Sequence, residues 1–293
     1  MSTASFYVLI ILLMLIFLVI KGNVYWYGGG NMRINSAIID SYLLKRNLKD
    51  VQDYWIYHDI VPGEYLIEEP QQLELEKLIK LYELVKEQII NFKPMNQVLW
   101  NQLFEGMTIP ELTTIYLIVG APKPYDAMVR EHENERVIIL DLVRIADYSD
   151  DFEKLMVIVN DFLTHEVAHI LIEQRYPYLD SVSIYETFIQ MVFDEGIAHF
   201  ISYTDDVSTF NWESAEMKQR CQTAYEQTNN YLKNPHHILK QTLIEANSGT
   251  FWEKFASIAG MFAVKDYYNK HQSLNSLLIE GPTALIKIIQ QSE

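Results

Sequence analysis

The sequence predicts an α+β fold, mostly helical with a small sheet, behind an N-terminal hydrophobic helix. Three observations carry this: helical apolar spacing through most of residues 151–290, two β-rich runs before it, and an unbroken apolar stretch near the start. With 293 residues, 49% of them hydrophobic, the chain can enclose a sizeable core and does not read as disordered.

Phe6 through Ile20 is uninterrupted apolar sequence. Counted from Ser2, a helix rising about 1.5 Å per residue reaches about 28 Å, close to the hydrocarbon thickness of a bilayer. Tyr25, Trp26 and Tyr27 then fall where an interfacial aromatic belt would sit. No basic segment precedes the run and no small-residue cleavage site follows it, which favours a single-pass anchor through residues 2–20 over a cleaved export signal. Lys21, Arg33, Lys45 and Arg46 after the span argue for a cytoplasmic domain, whereas the terminal amine argues the other way. The side of the membrane is therefore left open. Residues 1–26 are read as anchor or signal, 27–33 with its three glycines as a linker, and 34–293 as one domain.

After the linker, Leu75, Leu78, Tyr82, Val85 and Ile89 form a stripe at helical spacing within 73–92, ended by Pro94. Residues 113–119 and 136–142 are the strand-like runs, separated by a polar segment over 121–135. Helices follow over 151–174, 183–203, 212–232, 236–246, 251–268 and 281–290. Ser149 and Asp150 are candidate caps for the first of these, and Ser181 or Ser183 for the second.

The formal net charge is −16, and the first 33 residues contain no acid, so the remainder is more acidic still. Such a field disfavours nucleic acid as a partner. Cys221 is the only cysteine, which excludes a disulfide scaffold and a multi-thiolate metal site.

The chemistry concentrates in His165-Glu166-Val167-Ala168-His169 and, 26 residues later, Glu195 within Asp194-Glu195-Gly196-Ile197-Ala198-His199. Residues four apart on a helix stand one above the other, so His165 and His169 can face one metal with Glu166 beside it. Glu195 falls on the apolar side of the next helix with Ile184, Phe188, Met191 and Val192. A buried carboxylate there needs a partner. Zn²⁺ held by His165, His169 and Glu195 supplies one and keeps a position for water. Asp194 is either the partner of a free ring N–H on His165 or His169, or a helix-surface acid. His199 can bond the ligand carboxylate or reach the cleft, and Gly196 and Ala198 permit close helix approach.

These residues resemble the gluzincin class of zinc metallopeptidases, especially the group whose third ligand lies in an Asn-Glu-Gly-Phe-Ala run. They are also similar to small bacterial families of Zn-dependent proteases. The likeness covers about 135–205, and more loosely 251–290 at Gly260, Tyr267 and Pro282. It implies a thermolysin-like catalytic core, a peptide or protein substrate, and strand 136–142 as the edge on which an extended peptide pairs. It implies peptide-bond hydrolysis by a membrane-tethered enzyme, with metal-activated water and Glu166 as general base. A zinc-binding but non-proteolytic or regulatory module is the alternative. The interval from Glu166 to Glu195 exceeds the common one, so Glu186 is a rival ligand; Glu195 is preferred for its small-residue context. Tyr225, Tyr267, Tyr268 and His199 are all candidates for the oxyanion donor.

Overall fold

The computed structural model describes residues 32–70, 75–178 and 182–292. The expected N-terminal hydrophobic helix and the glycine tether lie outside these residues. The described chain forms two compact units. One comprises residues up to 92 with 110–159; the other comprises 93–109 with 160–293.

The first unit is built on a four-stranded sheet of β1 (Arg33–Asn35), β2 (Thr114–Ile118), β3 (Ala127–His132) and β4 (Glu135–Asp141). Their spatial order is β1-β2-β4-β3. The first three in that order run parallel, and β3 pairs antiparallel with β4. Alternate and near-continuous burial of Ile115, Leu117, Ile138, Ile139 and Leu140 explains why 113–119 and 136–142 read as strands. Strand β4 is central, hydrogen-bonded on both sides, so the expected pairing edge at 136–142 is a correction: β3 is the edge strand beside it, and β1 is the other edge. The sequence hid β3 inside a polar segment. Its link to β4 is the two-residue turn Glu133-Asn134, both with positive φ, 53° and 63°. That is the backbone a tight hairpin needs, made without the usual glycine.

Helices α1 (Ala37–Lys45), α2 (Leu75–Ile90) and α4 (Leu142–Ala146) complete this unit; α1 packs on β2 and α2 packs on α4. The predicted stripe on α2 is buried at Leu78, Tyr82, Val85 and Ile89, joined by Leu81. Asp141 ends β4 and caps α4, accepting from Val143 N at 2.9 Å and Arg144 N at 3.0 Å. Its other oxygen accepts from Ala121 N at 2.7 Å.

Helix α3 (Gln97–Leu103) belongs to the second unit, and α5 (Phe152–Arg175) begins in the first. Asp151, rather than Ser149 or Asp150, accepts from the first turn of α5, at Glu153 N. Asp150 instead pairs with Lys77. The second unit continues with α6 (Ile184–Ser202), α7 (Ala215–Lys233), α8 (Lys240–Ala246), α9 (Phe255–His271), α10 (Leu277–Glu280) and α11 (Pro282–Gln291). Helix α6 starts on a capping box in which Ser183 accepts from Glu186 N and Glu186 returns to Ser183 N.

Helix α9 is the centre of this unit, buried continuously from Phe255 through Val264 and packed against α6, α7 and α11. The closest approach joins Gly196 on α6 to Gly260 on α9. A Cβ on Gly260 would lie 1.9 Å from the Val192 carbonyl oxygen, and one on Gly196 would lie 2.5 Å from Gly260 Cα. The small residue next to Glu195 thus serves the α6–α9 crossing, which fixes the axial position of Glu195.

Candidate metal centre

Helices α5 and α6 carry the candidate ligands, all in the second unit. His165 Nε2 and His169 Nε2 are 3.0 Å apart, one turn from each other on α5. Glu195 of α6 places Oε2 3.7 Å from His165 Nε2 and Oε1 3.9 Å from His169 Nε2. All three side chains are largely enclosed, at 14–16% exposure.

His169 and Glu195 are each held from behind. His169 Nδ1 is 2.8 Å from Asp194 Oδ1, and Asp194 Oδ2 accepts from the Tyr178 hydroxyl at 2.8 Å. An Nδ1–H donated to Asp194 leaves the Nε2 lone pair free toward Glu195. The Ala198 backbone favours the charged form of His165, against the burial that opposes it. Glu195 Oε1 accepts from Asn247 Nδ2 at 2.6 Å, and Asn247 Oδ1 accepts from Ser257 Oγ at 2.7 Å. Ser257 is fully buried on α9. A chain from the core of the unit therefore fixes the carboxylate.

His199 stands one turn beyond Glu195, with Nε2 3.6 Å from Glu195 Oε2. It is 6% exposed, and that Nε2 is buried with no hydrogen-bond partner. The ligand atoms of His165, Glu195 and His199 all lie within 4.8 Å of one another. Glu166 is 7% exposed and near enough to His169 to favour its protonated form.

Burial, helped by His199, His169 and Lys254, holds the His165 imidazole well below its ordinary pKa. Burial, Lys254 and His169 do the same for His199. Neutral imidazole is the form that binds a metal. Burial opposes charge on His169 as well, but Asp194 and Glu195 outweigh it and raise its pKa.

Zinc bonds of about 2.0–2.1 Å in a tetrahedral arrangement separate neighbouring donors by about 3.4 Å. The three donors of His165, His169 and Glu195 are 3.0 to 3.9 Å apart here. Imidazole nitrogens with one carboxylate suit zinc, and the orphaned Nε2 of His199 marks a place where a cation would satisfy a buried lone pair. The residues fit the ion.

The structure thus brings together His165, Glu166, His169, Glu195 and His199, and joins Asp194 to His169 specifically. It does not bring Glu186, which is exposed and bonded to Ser183. Nor does it bring two of the three tyrosines. Tyr225 donates to Asp266 at 2.8 Å in a cavity lined by Trp212, Cys221 and Asp266. Tyr267 donates to Glu280 at 2.6 Å. Tyr268 follows Ser257 by about 16 Å of helix axis at 1.5 Å per residue. Sequence reasoning missed Tyr178, Asn247, Ser257 and Lys254. Tyr178 had a signal in its position just after the metal helix; Asn247, 52 residues from its partner, had none.

A comparison with protein families matches residues 64–262 to a family described as "Putative zinc dependent peptidase (DUF5700)". The chain belongs to that family. The region shared with this zinc peptidase family contains His165, Glu166, His169, Asp194, Glu195, His199, Asn247, Lys254 and Ser257, and ends before Tyr267 and Tyr268. No curated protein and no solved structure matches the chain.

Proposed function

We propose that this protein is a gluzincin-type metallopeptidase, tethered to a membrane by residues 2–20, that hydrolyses peptide bonds in a peptide or protein substrate. His165, His169 and Glu195 hold the zinc, and Glu166 is the general base. The observation that carries this reading is the geometry around His169. Asp194 occupies its Nδ1, so Nε2 faces His165 and the Glu195 carboxylate that Asn247 fixes.

Zinc in such a site polarises a carbonyl and makes water more acidic. The chain's own residues do the rest. Asp194 fixes the His169 tautomer, Asn247 orients Glu195, and Glu166 takes a proton from water and passes it to the leaving amine. With Tyr225 and Tyr267 bonded to acids elsewhere, His199 and the Lys254 ammonium are the groups whose charge or N–H is felt at the histidines. The tether rests on the apolar run Phe6–Ile20.

The test uses the full chain loaded with zinc and a mixed peptide library. Cleavage by the parent, with zinc retained but turnover lost in Glu166→Gln, is the expected result. Zinc is expected to be lost in Glu195→Ala and kept in Glu186→Ala. Equal cleavage by Glu166→Gln would sink the mechanism. A parent that binds zinc without cleaving any peptide would leave a zinc-binding regulatory module as the reading.

A further inference from the structure

Lys254 joins two elements that each touch the metal centre. It lies between the short 3₁₀ turn Phe251–Glu253 and the start of α9. Three residues before it, the Phe251 ring stands edge-on to His199, 5.0 Å between centroids. Three residues after it, Ser257 donates to Asn247, which donates to Glu195. Lys254 is half-buried there, and its charge is felt at both His165 and His199. At His199 it is the largest charge acting, so the ammonium lies on that flank of the centre.

No carboxylate of the described residues answers this charge: among them Lys254 has neither an ion pair nor a side-chain hydrogen bond. Acids are not scarce, at 39 against 23 basic residues. The free N–H groups of the 17-residue α9 begin at the same point and also favour negative charge. A lone cation here opposes Zn²⁺ held by the neighbouring histidines, since like charges in an enclosed site are weakly screened. An anion beside Lys254 removes that conflict. Glu195 is not that anion. The His165, His169 and His199 nitrogens come within 3.6 to 3.9 Å of its oxygens, whereas Lys254 pairs with neither. The ammonium thus stands outside the ring of ligand atoms and leaves the position for water open.

What enters that place is the part of a peptide that flanks the bond to be cleaved. The peptide backbone carries no charge, so the anions it brings are its terminal carboxylate and Asp or Glu side chains. We propose that Lys254 is a carboxylate-binding residue beside the metal, selecting peptides with such a group next to the scissile bond. This rests on the peptidase reading above and adds a substrate class to it. The subsite is local, and its sign is opposite to that of the chain as a whole, whose net charge is −16.

The experiment compares three libraries of N-acetylated peptides of one length: free acids without Asp or Glu, the matching C-terminal amides, and amides that contain Asp or Glu. Binding is measured on the full chain carrying zinc and Glu166→Gln, which holds peptide without turnover, and on the same protein with Lys254→Met added. One carboxylate library is expected to bind at least about tenfold tighter than the neutral amides, and Lys254→Met to bring that ratio to about one. Preference for the free acids assigns the C-terminal carboxylate, and preference for the third library assigns the side chain. No preference before the substitution, or one that survives it, overturns the subsite. Should Lys254→Met fail to fold, Lys254→Gln carries the same comparison. Cleavage by the parent judges the peptidase reading separately. Cleavage without a carboxylate preference removes the subsite alone, and a Lys254-dependent preference without cleavage removes the peptidase alone.

Discussion

Asp194 Oδ1 stands 2.8 Å from His169 Nδ1, and this contact sets which ring nitrogen of His169 is free. The carboxylate is nearly buried and has a further donor in the Tyr178 hydroxyl. Removing such a partner of a ligand histidine typically costs about 10–100-fold in metal affinity. Asp194→Ala is therefore expected to lower zinc affinity by that factor, measured by chelator competition. Tyr178→Phe leaves the Asp194–His169 contact in place and is expected to cost less than Asp194→Ala. Equal losses in the two variants would show that Asp194 fixes the ring only while Tyr178 holds its carboxylate.

Glu166 is adjacent to His165 in sequence, yet its role is separable from ligation. Substitution by Gln keeps size and removes the base. General-base catalysis contributes about 10²–10⁴-fold, so turnover is expected to fall by that amount. Zinc content, measured on the same sample, is expected to remain at the parent level.

Gly260 and Gly196 meet backbone to backbone at the α6–α9 crossing. The Cβ of an alanine at 260 would meet the Val192 carbonyl oxygen and Gly196 Cα, both backbone atoms of α6 that no rotamer change can move. Overpacking a core usually costs about 1–3 kcal/mol, and a backbone clash belongs at or above the upper end. Gly260→Ala is expected to lower the unfolding midpoint in urea and, by displacing α6, to weaken zinc binding as well. A variant as stable as the parent would mean that the helices part easily.

The parts of the site that lie on one helix were legible in the sequence, because helical period alone sets His165 above His169 and Glu195 beneath His199. The parts that depend on which helices meet were not. Gly196 reads as a small residue beside a ligand, but its partner is Gly260 on α9. Glu195 reads as needing zinc, yet Asn247 also satisfies it, from the end of a short helix that no local signal connects to α6. In the sheet, β2 and β4 declare themselves by β-branched and aliphatic runs. Strand β3 does not, because Ala127–His132 carries charged residues along the sheet edge and turns through Glu133-Asn134. That same strand takes the edge position that the resemblance assigned to 136–142.

Asp161 offers a test through pH. It lies on α5 one turn before His165, where burial raises its carboxyl pKa from 3.8 to about 7. The Ser202 hydroxyl relieves this only in part, since its one hydrogen is donated to the Ala198 carbonyl at 2.8 Å. A folded-state pKa above the unfolded value means that the native state holds the proton longer. The contribution of Asp161 to stability is thus fully present below about pH 4 and is lost as pH rises through about 7. At 1.36 kcal/mol per unit the whole loss is at most about 4 kcal/mol, reduced by partial contact with solvent. Asp161→Asn removes this titration. Its stability relative to the parent, measured by urea unfolding at matched zinc, is expected to grow from pH 4 to pH 7 and to level off above. A difference that stays constant over that range would mean that Asp161 is ionised throughout, with a carboxylate that water or Ser202 solvates fully.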